Sequence, residues 1–152
     1  MATLDFPVDL PLPLRSGYGL NHASPLMRSE LQSGRARQRR IYTSVPTIAS
    51  VSWIFTEPQA QLFEAWFRWQ AVDGAEWFNV RLSTPVGLQE YEARFADMYS
   101  GPELIGRGHW QITAQLEIRE RQTLAQGWSE FASPYIVMSD IFDKAMNQEW
   151  PA

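Results

Sequence analysis

Val51-Ser52-Trp53-Ile54-Phe55-Thr56-Glu57-Pro58-Gln59, continued by Leu62-Phe63-Glu64-Ala65-Trp66-Phe67, is the stretch on which the fold turns. Val51, Trp53 and Phe55 fall on one side of an extended chain and Ser50 and Ser52 on the other, the period-two signature of a half-buried strand. Thr56 then offers an N-cap, and Gln59 at the third helical position completes a capping box. Pro58 falls in the first turn, where backbone amides have no helical partner to lose. Leu62, Phe63, Trp66, Phe67 and Gln70 line one helical face, and Asp73-Gly74 ends the run. A strand therefore feeds directly into a helix of about residues 57–71.

Three further strands follow. Residues 75–82 contain Trp77-Phe78 and end at the turn sequence Ser83-Thr84-Pro85-Val86-Gly87. Over 89–99, Tyr91, Ala93 and Phe95 alternate with Glu90, Glu92 and Arg94. Ser100-Gly101-Pro102 through Gly106-Arg107-Gly108 reads as a loop. In the next strand Trp110, Ile112, Ala114, Leu116 and Ile118 alternate with polar residues from His109 to Arg119. Upstream, residues 39–45 are extended and separated from the first strand by Pro46. The chain is predicted to be α+β, mainly β, with one packed helix and a body spanning 35–121.

Residues 1–34 read as an extended N-terminal arm. Pro7, Pro11, Pro13 and Pro25 remove backbone donors, and Gly17, Gly19 and Gly34 interrupt any helix. Phe6, Val8, Leu10, Leu12 and Leu14 recur at alternate positions, which predicts an apolar row that docks on its own core or on a neighbour. Residues 122–152 read as a C-terminal arm. A short helix is expected over 124–131, stopped by Pro134, and another from the N-cap pair Ser139-Asp140 through Met146.

The 152 residues suit one domain with arms, since domains usually run about 100–200 residues. No cysteine is present, which excludes disulfides and thiolate chemistry and suits assembly in a reducing cytosol. The first residues lack the pattern of a signal peptide, and no apolar run approaches the roughly 20 residues of a membrane span. The expectation is a soluble chain made in the cytosol. Charge is uneven: residues 1–40 carry six arginines against three carboxylates, and the remainder seven basic against fourteen acidic residues. A basic arm and an acidic body favour head-to-tail pairing of copies.

Few residues point to catalysis. His22 and His109 are isolated, with no metal-ligand spacing. Ser129 lies in Gly127-Trp128-Ser129-Glu130-Phe131, which is no nucleophile elbow. Gly17-Tyr18-Gly19 and Gly106-Arg107-Gly108 do not extend into a phosphate-binding pattern. Glu90, Glu92 and Glu117 are available as a hydrolytic carboxylate pair, or as an ordinary charged sheet face. The chain is expected not to be an enzyme and to need no cofactor or metal.

Arg35-Ala36-Arg37-Gln38-Arg39-Arg40 is the sharpest charge cluster. Three readings stand: a clamp on carboxylates of a neighbouring copy, a solvated strand start, or a phosphate-contacting segment. Among the tryptophans, Trp53, Trp66 and Trp110 are in phase with apolar faces. Trp69 is out of phase with its helix stripe and is an interface candidate. Trp128 and Phe142 in the C-terminal arm are candidates for subunit contacts, alongside Arg35, Arg37, Arg39 and Arg40.

Ser52-Trp53-Ile54-Phe55-Thr56, the helix with Gln59 and Phe63-Glu64-Ala65-Trp66-Phe67, then Gly74-Ala75-Glu76-Trp77-Phe78 and Thr84-Pro85-Val86-Gly87 form one series. Together they resemble the minor tail protein M family of lambda-like phages, and more broadly the N-terminal domain of distal tail proteins. Arg39-Arg40-Ile41-Tyr42 occupies the place of that family's glycine-tyrosine segment. The resemblance covers about residues 35–121; the chain departs from it in both arms. It implies a tail-tube-like β-sandwich or split barrel with one packed helix, in a hexameric ring at the distal tail or tail tip. The implied partners are further copies, the tail tube protein and tip or baseplate hub proteins, with nucleic acid met at most in the channel. The implied place is the virion tail, after assembly in the host cytoplasm. Two alternatives are a tail terminator or head–tail connector ring, and a carbohydrate-binding module built on the surplus tryptophans.

Overall fold

The computed structural model describes residues 2–132, 134–138 and 141. The chain divides into two compact units, Met1–Arg121 and Gln122–Ala152. The first holds nine strands and one helix: β1 (Leu4–Asp5), β2 (Gly19–His22), β3 (Leu26–Ser29), β4 (Arg37–Arg40), β5 (Thr47–Thr56), α1 (Glu57–Trp69), β6 (Phe78–Thr84), β7 (Gly87–Phe95), β8 (Ser100–Ile105) and β9 (His109–Ile118). The second holds α2 (Gln126–Phe131), and residues 134–138 are helical as well. The protein is α+β and mainly β.

Seven strands form one sheet in the order β1-β6-β7-β9-β5-β2, with β8 also paired to β9. β1 runs parallel to β6, and the other pairs are antiparallel. The long β5–β9 ladder sets the register, pairing Phe55 with Trp110, Trp53 with Ile112, Val51 with Ala114 and Ala49 with Leu116. Directly opposed residues share a face, so both apolar rows enter the same core. On β6, Phe78, Val80 and Leu82 join them. Helix α1 covers this face with Ala60, Phe63, Trp66 and Phe67. Its start is fixed as the sequence predicts, by Thr56 N–H donating to Gln59 Oε1 at 3.0 Å.

The arm is part of this unit. β1 extends the β6 edge and β2 extends the β5 edge, so the segment between them links the two ends of the sheet. Phe6 packs on Trp53 of β5 and Phe78 of β6 together, with ring centroids at 5.7 and 6.3 Å. Tyr18 Oη donates to Ser83 O of β6 at 2.6 Å, while Leu14 N–H reaches Ser52 O of β5 at 2.8 Å. The sheet is thus curled, and the arm lies in the gap between its edges.

Three expectations change. The apolar row of the arm is broken: Leu10 is buried but Val8 and Leu12 are exposed. The cause is a turn in which Leu10 N–H donates to Pro7 O at 3.2 Å, which shifts the register. Residues 100–105 are a strand rather than a loop, because β8 forms a hairpin with β9 at the sheet edge. Leu62 points to solvent, and Ala60 takes its place in the buried stripe. Helix α2 ends at Phe131, before Pro134 as expected, and residues 134–138 are helical again. The helix expected from Ser139 to Met146 lies outside the described residues, except for residue 141.

Candidate functional site

The arginine cluster lies on a β-hairpin that stands apart from the main sheet. β3 and β4 form a two-stranded sheet of their own, with Leu26 opposite Arg40, Met27 opposite Arg39, Arg28 opposite Gln38 and Ser29 opposite Arg37. One face therefore carries Arg28 and Arg40, and the other Arg37 and Arg39. Every residue of both strands is exposed. Arg35 stands in the connecting turn after Gly34, whose φ of +81° is a conformation glycine takes without strain. Five arginines face a single local carboxylate, Glu30. None of the five is ion-paired among the described residues.

An isolated two-stranded hairpin is at best marginally stable in water. This one also sets like charges side by side. Its backbone bonds, among them Ile41 N–H to Pro25 O at 2.8 Å, are joined by only a long side-chain contact, Arg39 Nη2 to Met27 Sδ at 3.9 Å. Around the guanidiniums, Leu26, Met27, Leu31, Ile41 and Tyr42 are exposed apolar residues, with Tyr42 at 59%. Arginine beside exposed aromatic and aliphatic groups is the composition of a binding surface rather than of a solvated one. Sequence reasoning found Arg35, Arg37, Arg39 and Arg40 but missed the partner strand. The signal was there in Ser33-Gly34, a turn dipeptide between two short exposed runs.

Trp69 lies elsewhere on the first unit, at the end of α1. It is 75% exposed, with the Arg68 guanidinium 5.1 Å from its ring centroid. Trp128 belongs to α2 of the second unit and is 58% exposed. Phe142 lies outside the described residues. The structure therefore gathers the four arginines on one hairpin and carries Trp69 on a different element of the same unit.

No protein-family model, no curated protein and no solved structure matches this chain.

Of the three carboxylates considered for hydrolysis, Glu92 and Glu117 are engaged in structural contacts and Glu90 is exposed. Glu117 pairs with the directly opposed Arg94 at 2.8 Å, and Glu92 with Arg119 at 3.2 Å. The half-buried Trp77 ring lies beneath both guanidiniums, 4.8 Å from Arg94 and 5.7 Å from Arg119. This layer ties β6, β7 and β9 together on the outer face of the sheet. His109 is exposed at the end of β9, its Nδ1 3.2 Å from Arg107 O. Among the described residues no group of three or more His, Asp or Glu is placed to hold a metal ion. Two open grooves border the arm, of about 280 and 490 Å³, sharing Leu12, Pro13 and Arg81. Their walls are mainly apolar, which suits a packing seam more than a site of converging polar groups.

Burial raises the pKa of two tyrosines. Tyr18 is shifted up by desolvation first and by nearby Tyr91 second, partly offset by its bond to Ser83. Tyr99 is shifted up by desolvation and then by Glu64, to which its hydroxyl donates at 3.3 Å. Both phenols hold elements together, and neither adjoins the arginine hairpin in the sequence.

Proposed function

We propose that this chain is a structural subunit of a bacteriophage tail that assembles with its own copies into a ring at the distal tail or tail tip. There it joins the tail tube to the tip or baseplate proteins. The observation that carries the assembly is the β3–β4 hairpin: basic on both faces, apolar at its base, wholly exposed and, among the described residues, without a partner of its own. Such a surface gains stability only when a second surface covers it. The placement in a tail rests on the resemblance over residues 35–121 and on a mainly β unit with one helix packed on its sheet.

Arginines on both faces of the hairpin also favour a second reading, a terminator or connector ring whose hairpins meet DNA in the channel. Sedimentation of the purified chain, followed by labelled-antibody electron microscopy of virions, tests both. The first reading expects an oligomer and label at the tip, and the second an oligomer and label at the neck. A monomer absent from virions overturns the two together.

A further inference from the structure

We infer that the basic hairpin of one copy docks on the outer stripe of helix α1 in a second copy. This rests on the reading of the chain as a self-assembling subunit, and adds which surfaces meet.

Helix α1 carries two apolar stripes where one would suffice to pack it. Ala60, Phe63, Trp66 and Phe67 are buried against the sheet. Pro58, Leu62, Ala65 and Trp69 follow one another at helical spacing and are all exposed. Positions separated by four, three and four residues lie over one another on a helix. Beside this second stripe run Glu57 and Glu64, with Arg68 as the only cation. The stripe continues into Val72, 52% exposed and held at a φ of +49°, then reaches Asp73 and Glu76. A β-branched residue in the left-handed region is strained, and such strain gathers where a surface has a task beyond folding.

The two surfaces match in kind. The hairpin offers five arginines and a group of exposed aliphatic side chains. The helix and its exit offer four carboxylates around an apolar stripe ending in a nearly bare tryptophan. Nucleic acid would satisfy the guanidiniums but leave Leu26, Met27 and Ile41 uncovered; a protein stripe covers both. Within one copy both surfaces are exposed, so neither covers the other. Pairing then runs from copy to copy, and a head-to-tail arrangement of it closes into a ring when the rotation between copies allows. Arginine and tryptophan at the centre of such a contact are the residues expected to dominate it.

Sedimentation velocity of the full chain tests this. Wild-type oligomers are expected to loosen as salt is raised to about 0.5 M, where charge attraction is screened within a few Å. Arg37→Glu/Arg39→Glu, Trp69→Ala and Glu57→Arg/Glu64→Arg are each expected to weaken association by about thirtyfold or more. Mixing the hairpin-reversed and helix-reversed chains is expected to restore it. Trp69 is exposed and outside the core, so Trp69→Ala carries the test even if a charge-reversed chain fails to fold. Oligomers unchanged in Trp69→Ala, or unchanged in the helix-reversed chain, overturn the inference while leaving the assembly reading intact. So does a hairpin-reversed chain that keeps its oligomers but loses binding to a duplex DNA probe. A wild type that stays monomeric removes the assembly reading itself.

Discussion

Phe63 is the residue around which the core is built. Its ring lies within 5.3–6.4 Å of Phe6, Trp53, Phe55, Trp66, Phe67, Phe95 and Tyr99, which come from the arm, the sheet, its own helix and the β7–β8 connection. Phe63→Ala is expected to cost about 3–5 kcal/mol in denaturant unfolding, because so many fixed rings cannot close the gap. Trp53 is as buried, but its indole N–H has no hydrogen-bond acceptor among the described residues. An unpaired buried donor costs about 1–3 kcal/mol, so Trp53→Phe removes a penalty along with the volume. Its loss should stay below about 2 kcal/mol, and a loss as large as that of Phe63→Ala would show the indole to be bonded in solution. Val72 is the opposite case, a residue that costs stability without filling the core. Val72→Gly is expected to raise the melting temperature, relieving about 1 kcal/mol of left-handed strain despite glycine's greater freedom when unfolded. If the helix stripe is an interface, the same change weakens association. A melting temperature that falls would mean Val72 packs better than its exposure indicates.

The elements divide by how plainly their residues announce them. β5, α1 and β9 were legible because each has one face in the core, so burial imposes a period of two or 3.6 on the sequence. β8 was not, because Gly101 and Pro102 are loop residues everywhere except at a sheet edge, where a missing amide is tolerated. β3 was hidden for another reason: it buries nothing, so neither Leu26-Met27 nor Arg28-Ser29 carries a core-facing alternation. The arginine cluster could be read, but the hairpin presenting it could not. Leu62 reads as core in the sequence because two apolar stripes on one helix merge along a linear chain. The arm's docking shows a similar gap, since Tyr18 sits among glycines with no periodic signal. Yet its phenol links β2's approach to β6. Its pKa is raised above the ordinary 10.0, mainly by burial. Below pH 10 the phenol is protonated in both folded and unfolded chains, and its contribution is constant. Above it the unfolded chain releases the proton first, so stability falls as pH climbs through the folded pKa. Tyr18→Phe is expected to cost about 1 kcal/mol at neutral pH and to flatten that alkaline fall, leaving the part due to Tyr99. Urea midpoints measured from pH 8 to 11 check it; an unchanged alkaline slope would mean Tyr18 is free to ionise in the folded chain.

At the scale of the molecule, the question is what the arm does and what is left for copies to do for one another. Both terminal strands of the sheet, β1 and β2, come from the arm, and its Phe6 and Leu10 belong to the core or pack against it. Residues 2–22 of the arm are therefore docked within the chain, while Val8, Leu12 and the hairpin strand β3 stay exposed. Removing residues 2–22 would bare the β6 and β5 edges together and empty the place of Phe6, a loss of about 3–5 kcal/mol from that ring alone. Against a total stability of about 5–15 kcal/mol, with two open edges added, the truncated chain is expected to aggregate and to bind an apolar dye. Removing residues 122–152 is different in kind, because they form a separate compact unit. A chain ending at Arg121 is expected to stay folded, with an unfolding midpoint close to that of the full chain. Gel filtration and thermal melts of the two truncations decide the matter. A soluble, cooperatively melting chain without residues 2–22 would return the arm to the surfaces available for assembly. The expected result leaves the hairpin and the outer helix stripe as the exposed complementary surfaces of the first unit. Self-association that survives loss of residues 122–152 would then have to pass through that unit.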